Sequence, residues 1–484
     1  MDDPNPRPGS APGDDDVRVI SMYEKRPEIY ARSVQGRFAN WRWIFVWLTQ
    51  AFFYGMPWLQ WNGRQALLFD LEAQRFYIGA LVLFPQDLIF LAALLVISAL
   101  ALFLFTAVAG RLWCGYSCPQ TVYTEIFMWV EHHLEGDRIA RMRLDKAPWG
   151  VEKLLRKGGK HAAWGAIALY TGFTFVGYFT PIRELSVDMA RWNLSGWNAF
   201  WILFYGAATY GNAGFLREQM CKYMCPYARF QSALIDKDSL IITYDAKRGD
   251  PRGSRSRKAD SAAHGLGDCI DCTLCVQVCP TGIDIRNGLQ NECIGCAACI
   301  DVCNDVMDKM GYAKGLIRYS TENGVVNGWT RLQMFKRALR PRVLIYGAVL
   351  SAASVTFAAS VAMRSPFKFD VVKDRGALAR VVEEGAVENV YRIQIMNRTE
   401  APQTYRVDAS GIDGLEVVAT PASAGPAAVT STSVSLRLPF VVAQGLAGRS
   451  VPVMFAVTGV ESTSGTSADR SAVQFEKSTF FIPR

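Results

Sequence analysis

The chemistry of this chain concentrates in its cysteines. Eight of the twelve form two consecutive runs, Cys269-x2-Cys272-x2-Cys275-x3-Cys279-Pro280 and Cys293-x2-Cys296-x2-Cys299-x3-Cys303. Three thiolates at i, i+3 and i+6 wrap one corner of an iron–sulfur cubane, and the fourth, offset residue reaches over to the neighbouring cluster. The runs therefore predict two [4Fe–4S] clusters. Cys269, Cys272, Cys275 and Cys303 are expected to hold one, and Cys293, Cys296, Cys299 and Cys279 the other. Structural zinc uses pairs of cysteines rather than two four-cysteine runs. The implied chemistry is one-electron transfer.

The other four cysteines form an internal repeat, Trp113-Cys114-Gly115-Tyr116-Ser117-Cys118-Pro119 and Met220-Cys221-Lys222-Tyr223-Met224-Cys225-Pro226. Each C-x-Y-x-C-P follows an apolar segment. In a helix an i, i+4 pair of thiols projects to one face; the proline disfavours that conformation at the second Cys, so a tight break is the alternative. Free Cys is often simply a small buried hydrophobe, but two copies at equivalent points favour a site. Cys114, Cys118, Cys221 and Cys225 are the candidate catalytic and metal-binding thiols, with Met220 and Met224 as further candidate ligands. Such soft sulfurs suit Cu(I), with zinc or a further iron–sulfur centre as alternatives. The histidines His132, His133, His161 and His264 lie outside the deep apolar segments, which argues against haem, and His132 and His133 read as interfacial side chains rather than ligands. Neither a dinucleotide fingerprint nor a Walker motif occurs, so direct oxidation of a nicotinamide is unsupported.

Elements must position these thiols. The chain has 484 residues, half of them apolar and 20% charged, so membrane and soluble parts are expected to coexist. Residues 1–40 are polar and proline-containing and read as a disordered cytoplasmic tail without a cleavable signal. Five segments meet the length needed to span a bilayer: Trp41–Trp61, Leu88–Ala109, Ala162–Phe179, Trp197–Phe215 and Val343–Met363. Arg42 is expected to snorkel to the interface, and the apolar stretch Phe76–Phe84 to lie in it. Lysine and arginine crowd the loops before the first span, between the second and third, and before the fifth. By the positive-inside rule the N-terminus and both cluster motifs are cytoplasmic and the chain after Met363 is periplasmic. The net charge of +8 is thus a topology signal, and no nucleic-acid partner is implied. Residues Lys247–Lys258 read as a solvated basic linker.

After the fifth span, alternating stretches such as Val390–Met396, Ser433–Leu438 and Val451–Val457 predict an antiparallel sandwich, Ig-like in architecture and without visible chemistry of its own. All twelve cysteines precede it, as reduced thiols would. The expected fold class is a five-span membrane α-helical bundle with a cytoplasmic two-[4Fe–4S] ferredoxin-like domain and a periplasmic all-β Ig-like sandwich. Its divisions are the tail (1–40), a four-span domain carrying both C-x3-C-P motifs (41–230), linker and ferredoxin domain (231–340), the fifth helix (341–364) and the sandwich (365–484).

These residues resemble the FixG/RdxA/CcoG family of cytochrome c oxidase accessory proteins. The resemblance rests on WCGYSCPQTVYTEIFMWVE (Trp113–Glu131), CKYMCPYARFQSALIDKDSLIITYD (Cys221–Asp245), the block Gly267–Cys303 and the following Val306–Asn323. It departs from many ferredoxins at Asn304, where a proline often follows the last Cys. The resemblance implies a bacterial inner-membrane protein that matures a cbb(3)-type haem–copper oxidase, with reduction of Cu(II) to Cu(I) as its activity. Copper, membrane lipid, a cytoplasmic electron donor and the oxidase assembly machinery are then the expected partners. Two rivals stand beside this reading: a relay exchanging electrons with quinone, and a non-catalytic assembly scaffold.

Overall fold

A computed structural model describes residues 29–257, 265–374, 376, 378–460 and 472–483. In chain order its first helices are α1 (Arg37–Gly55), α2 (Leu88–Ala109), α3 (Leu112–Tyr116), α4 (Pro119–Glu135), α5 (Arg138–Lys146), α6 (Val151–Val176), α7 (Ile182–Ala190) and α8 (Gly196–Gly211). A last long helix, Pro341–Ala362, follows the cluster motifs. Two helical segments, Pro85–Ala109 and Pro341–Ala362, are long and apolar enough to cross a membrane. They lie side by side, Phe90 edge-on to Phe357, and few of their residues are buried, while large apolar side chains such as Leu95 and Val355 are 64% and 68% exposed. Water does not tolerate so continuous an apolar surface, so the chain associates with a membrane through them.

The long helices pack through small residues. A Cβ on Gly172 of α6 would lie 2.3 Å from the Ile202 carbonyl oxygen of α8, so only glycine permits this approach. The helix bounds differ from those expected. α1 ends at Gly55, and Gln60–Trp61 (β1) pairs with Arg64–Gln65 (β2). α6 begins at Val151, well before Ala162, because Lys153, Arg156, Lys157 and Lys160 continue the helix outside its apolar half. The stretch Phe76–Phe84 is not a free interfacial segment. Leu67–Asp70 (β3), Arg75–Ile78 (β4) and Leu81–Leu83 (β5) form an antiparallel sheet whose Leu68, Tyr77 and Val82 pack with Met396 and Ala427 of the C-terminal domain.

At the opposite end of the helices lies the cluster domain. Its motifs are bracketed by Ile241–Tyr244 (β6) and Ile317–Ser320 (β7), paired antiparallel. Residues 29–35 are not disordered: Arg32 N–H donates to the Gln277 carbonyl, and the Tyr30 hydroxyl donates to Asp145. Residues 1–28 lie outside the described residues. The basic stretch after Lys247 is also no free linker, since Arg248 pairs with Asp268 and Arg255 donates to the Tyr312 hydroxyl. Arg42 does not snorkel. It is 6% exposed, 3.6 Å from Glu125. Beside it Asp301 accepts from the N–H groups of Phe38 (3.2 Å) and Ala39 (2.7 Å), capping α1 from the cluster domain.

The C-terminal domain is a sandwich of two antiparallel sheets. One holds Phe367–Lys373 (β8), Arg380–Val381 (β9), Val387–Asn397 (β10), Glu416–Ala419 (β12) and Val429–Leu438 (β14), in the order β12–β14–β10–β8 with β9 also on β10. The other runs β13–β11–β15–β16, from Gln403–Ser410 (β11), Ala422–Ala424 (β13), Ser450–Val460 (β15) and Val473–Phe481 (β16). Alternation turns Tyr391, Ile393, Ile395, Val407, Phe455 and Val457 into one buried core. This domain meets the helices through Asp87, 3% exposed, which accepts from Arg364 at the end of the last helix and from Arg398 of the sandwich.

Candidate redox and metal site

The eight motif cysteines line two cavities. Cys269, Cys272, Cys275 and Cys303 surround the first, walled by Tyr244, Leu274, Met307, Leu316 and Ile317. Cys279, Cys293, Cys296 and Cys299 surround the second, walled by Ile242, Ile283 and Ile285, with Cys275 lining both. The two loops repeat one backbone device. Asp271 and Gly295 precede, and Thr273 and Ala297 follow, the second Cys of each run, all four at positive φ. Holding non-glycine residues there costs energy and marks a conformation fixed for ligation. Asn304 lies inside the helix Ala298–Met310, which explains why proline does not follow Cys303.

Iron–sulfur clusters fit these residues. All the cysteines are free thiols. Burial pushes Cys275 up to about 11 and Cys293 and Cys303 up to about 12, against the opposing charges of Arg286 at Cys275 and Arg111 at Cys293. Each cavity is lined by the four thiols expected for it, the complete ligand set of a cubane.

The second Cys of each C-x3-C-P pair breaks its helix. Cys118 is extended (φ −62°, ψ 128°) and Pro119 opens α4; Cys225 is extended (φ −76°, ψ 110°) and Pro226 opens the helix Pro226–Leu234. Proline fits a first helical position because no intrahelical donor is needed there. The tight break therefore wins over a continuous i, i+4 helix. The structure brings the four thiols together, half-buried: Cys118, Cys114 and Cys225 all act electrostatically on Cys221. Burial pushes Cys114 up to about 11 and Cys221 up to about 12, and the neighbouring thiols add to it. Met224, by contrast, is 60% exposed, and the Met220 carbonyl accepts the Cys225 N–H.

Spacing alone did not reveal three features around the thiols, the first two of which join them to the second cavity. Arg111 opposes the charge of Cys114, Cys221 and Cys293, and donates to the carbonyls of Cys293 (3.2 Å) and Asn291. Gly115 lies against Gly295, its ideal Cβ 2.8 Å from that carbonyl carbon. Gln231, fully buried, donates through its amide to Cys114 Sγ at 3.2 Å. A further buried network holds α4 to α6. Glu131 accepts from Arg141 and Arg217, both at 2.6 Å, and Lys160 lies 2.9 Å from Glu135. Of the histidines, His132 is exposed, His133 Nδ1 lies 2.8 Å from the Trp129 carbonyl oxygen, and His161 Nδ1 lies 2.8 Å from the Tyr210 hydroxyl. His264 lies outside the described residues.

Comparison with known proteins places this arrangement. A 4Fe–4S dicluster domain family matches residues 216–322, a 4Fe–4S binding domain family matches residues 91–135, and the IG-like fold at the C-terminal of FixG matches residues 357–483. Nitrogen fixation protein FixG of Rhizobium meliloti (strain 1021) is 36% identical over 81% of this chain and 80% of its own length. The chain belongs to the FixG/RdxA family. Proteins RdxB and RdxA of Cereibacter sphaeroides are 38% and 37% identical, over 82% and 81% of this chain and 84% of each relative. As a member of this family the chain is an iron–sulfur redox protein with a C-terminal Ig-like domain.

Proposed function

We propose that the chain is a five-span iron–sulfur oxidoreductase of the bacterial inner membrane that reduces Cu(II) to Cu(I) for assembly of a cbb(3)-type cytochrome oxidase. The observation that carries this reading is the convergence of four soft thiols beside the second cysteine cavity, with Gly115 against Gly295. The reading is supported by the ends of three of the helices. α1 starts at Asp301; α2 runs from Asp87 to the Leu240 N–H; the last helix runs from Arg340, which donates to the Ala107 carbonyl, to Arg364.

Cys269, Cys272, Cys275 and Cys303 would hold one [4Fe–4S] cluster, and Cys279, Cys293, Cys296 and Cys299 the other; bound clusters supply electrons singly. Cys272 is exposed, so a cytoplasmic donor would meet the chain there. Cys275 separates the two sites, and the second adjoins the thiols. Each Cu(II) gains one electron, matched by loss of one electron from the reduced iron–sulfur cofactor. Thiolate ligands favour the soft product.

The match of residues 91–135 to a 4Fe–4S binding domain favours a second reading, in which Cys114, Cys118, Cys221 and Cys225 hold a third iron–sulfur centre. One experiment separates the two. Cys221→Ser/Cys225→Ser should keep about eight irons per chain and both reduced-cluster EPR signals, while copper binding and Cu(II) reduction are lost. Normal copper reduction at normal iron content would remove the thiols from the mechanism. About twelve irons in the parent protein, falling to about eight in the variant, would establish the third centre.

A further inference from the structure

We propose that copper reaches Cys221 along one face of α4, entering beside His132 on the side of the cluster domain and passing Met128 and Glu125. The inference rests on the reading of the four thiols as a copper site, and it adds the route and the side of entry.

Two adjoining cavities carry the argument. The outer one is lined by His132, Asp137, Met128, Glu125 and Arg42, and by Val278, Pro280 and Ala298 of the cluster domain. The inner one is lined by Thr121, Thr124, Glu218 and Cys221. Arg42, Glu125, Met128 and Pro280 are walls of both. Thr121, Glu125, Met128 and His132 follow one another at intervals of four, three and four residues, which places them on a single stripe of α4. Exposure falls along that stripe: His132 is exposed, while Met128, Glu125 and Cys221 are half-buried.

Donor chemistry changes in the same direction. Imidazole and carboxylate at the mouth, His132 and Asp137, suit Cu(II). The Met128 thioether and the Cys221 thiol further in suit Cu(I). Glu125 would trap a cation if its charge were free, but Arg42 lies 3.6 Å from it. The stripe thus presents successive donors along the two cavities. Its mouth lies where α4, residues 31–34 and the cluster domain meet. Copper would thus arrive on the same side as the electrons.

The test uses the full, cluster-loaded protein in detergent without oxygen. Silver(I), a redox-silent stand-in for Cu(I), is added at limiting concentration, and the protection of Cys221 from maleimide is followed by mass spectrometry. His132→Gln/Met128→Leu should slow protection at least tenfold while protection at excess silver stays complete and iron content is unchanged. His132→Gln alone, at an exposed position, should slow it at least threefold and guards against misfolding of the double variant. In the same variants Cu(II) at limiting concentration should oxidise the reduced protein correspondingly slowly. Time courses equal to wild type in both variants would overturn the route. Failure of silver to protect Cys221 in the wild type would overturn the thiol site itself, and the route with it.

Discussion

Arg111 acts electrostatically on Cys114 and Cys221 and donates to the Cys293 carbonyl, so one guanidinium serves both the thiol pairs and the second cysteine cavity. Arg111→Gln removes that charge. The cluster beside Cys293 should then become harder to reduce, its midpoint falling by tens of millivolts, on the order of a few kcal/mol or less at this range; redox titration by EPR measures the shift. The raised thiols set a pH dependence with a definite sign. Cys114, raised to about 11, and Cys221, raised to about 12, carry their protons at neutral pH, so a copper ion bound as proposed would displace them. Affinity should rise with pH by about tenfold per unit for each proton released, which copper titrations at pH 6.5 and 8 would measure. At this scale the cysteines were legible because their spacing is their chemistry. Arg111 was not, since a basic residue beside a span reads equally as a topology signal, and nothing in the sequence distinguishes Gln231 from any other polar residue.

Among the elements, the two C-x3-C-P turns are short helices that end on an extended Cys, and their use depends on how closely α3 meets the loop around Gly295. Gly115→Ala would place a Cβ 2.8 Å from the Gly295 carbonyl carbon, and one backbone or the other must move. Iron content should stay normal while oxidation of the reduced protein by excess Cu(II) slows about tenfold, on the scale of a shift of an ångström or so between reacting groups. Asn304→Pro acts on a different element. It interrupts the helix Ala298–Met310 one residue past Cys303, at a cost of about 3 kcal/mol or more, and iron analysis should register loss from the site Cys303 shares with Cys269. The strands of the sandwich were legible wherever apolar alternation is strict, as at Tyr391, Ile393 and Ile395. β8 was missed because only Met363, Arg364, Ser365 and Pro366 separate Phe367–Lys373 from the last long helix, and its run FKFDVVK alternates too weakly to stand out from it. The hairpins β3–β5 were missed for a related reason: an apolar stretch ended by Pro85 reads the same whether lipid or a neighbouring sheet covers it.

Across the whole molecule, the two soluble domains sit at opposite ends of the long helices, and Asp87 secures one of them. Asp87→Asn leaves Arg364 and Arg398 as buried guanidinium groups without their carboxylate, and removing one partner of such a buried set costs about 3–5 kcal/mol. The variant should show a lower melting temperature and earlier proteolytic release of the sandwich. Reporter fusions after Gly253 and after Phe367 should give opposite sides, cytoplasm and periplasm; the same side for both would break the five-span arrangement. Segment length made the two long apolar helices readable in outline, and charge asymmetry supplies the sidedness that the fusions test. The start of α6 escaped because a helix continues past its apolar part whenever charged residues on it find partners, as Lys157 and Lys160 do at Glu135.

The exposure of Cys272 has a cost in air. Of the eight motif cysteines it alone is open to solvent, while Cys269, Cys275 and Cys296 are buried. Dioxygen and peroxide attack accessible sulfur and iron first, so corrosion should begin where the proposed donor would meet the chain and spread inward only later. A protein damaged in this way would keep its inner site and its thiols yet be cut off from its supply. It would sit like a charged cell that can be discharged once and never refilled, a state that counts as intact by copper content and as dead by turnover.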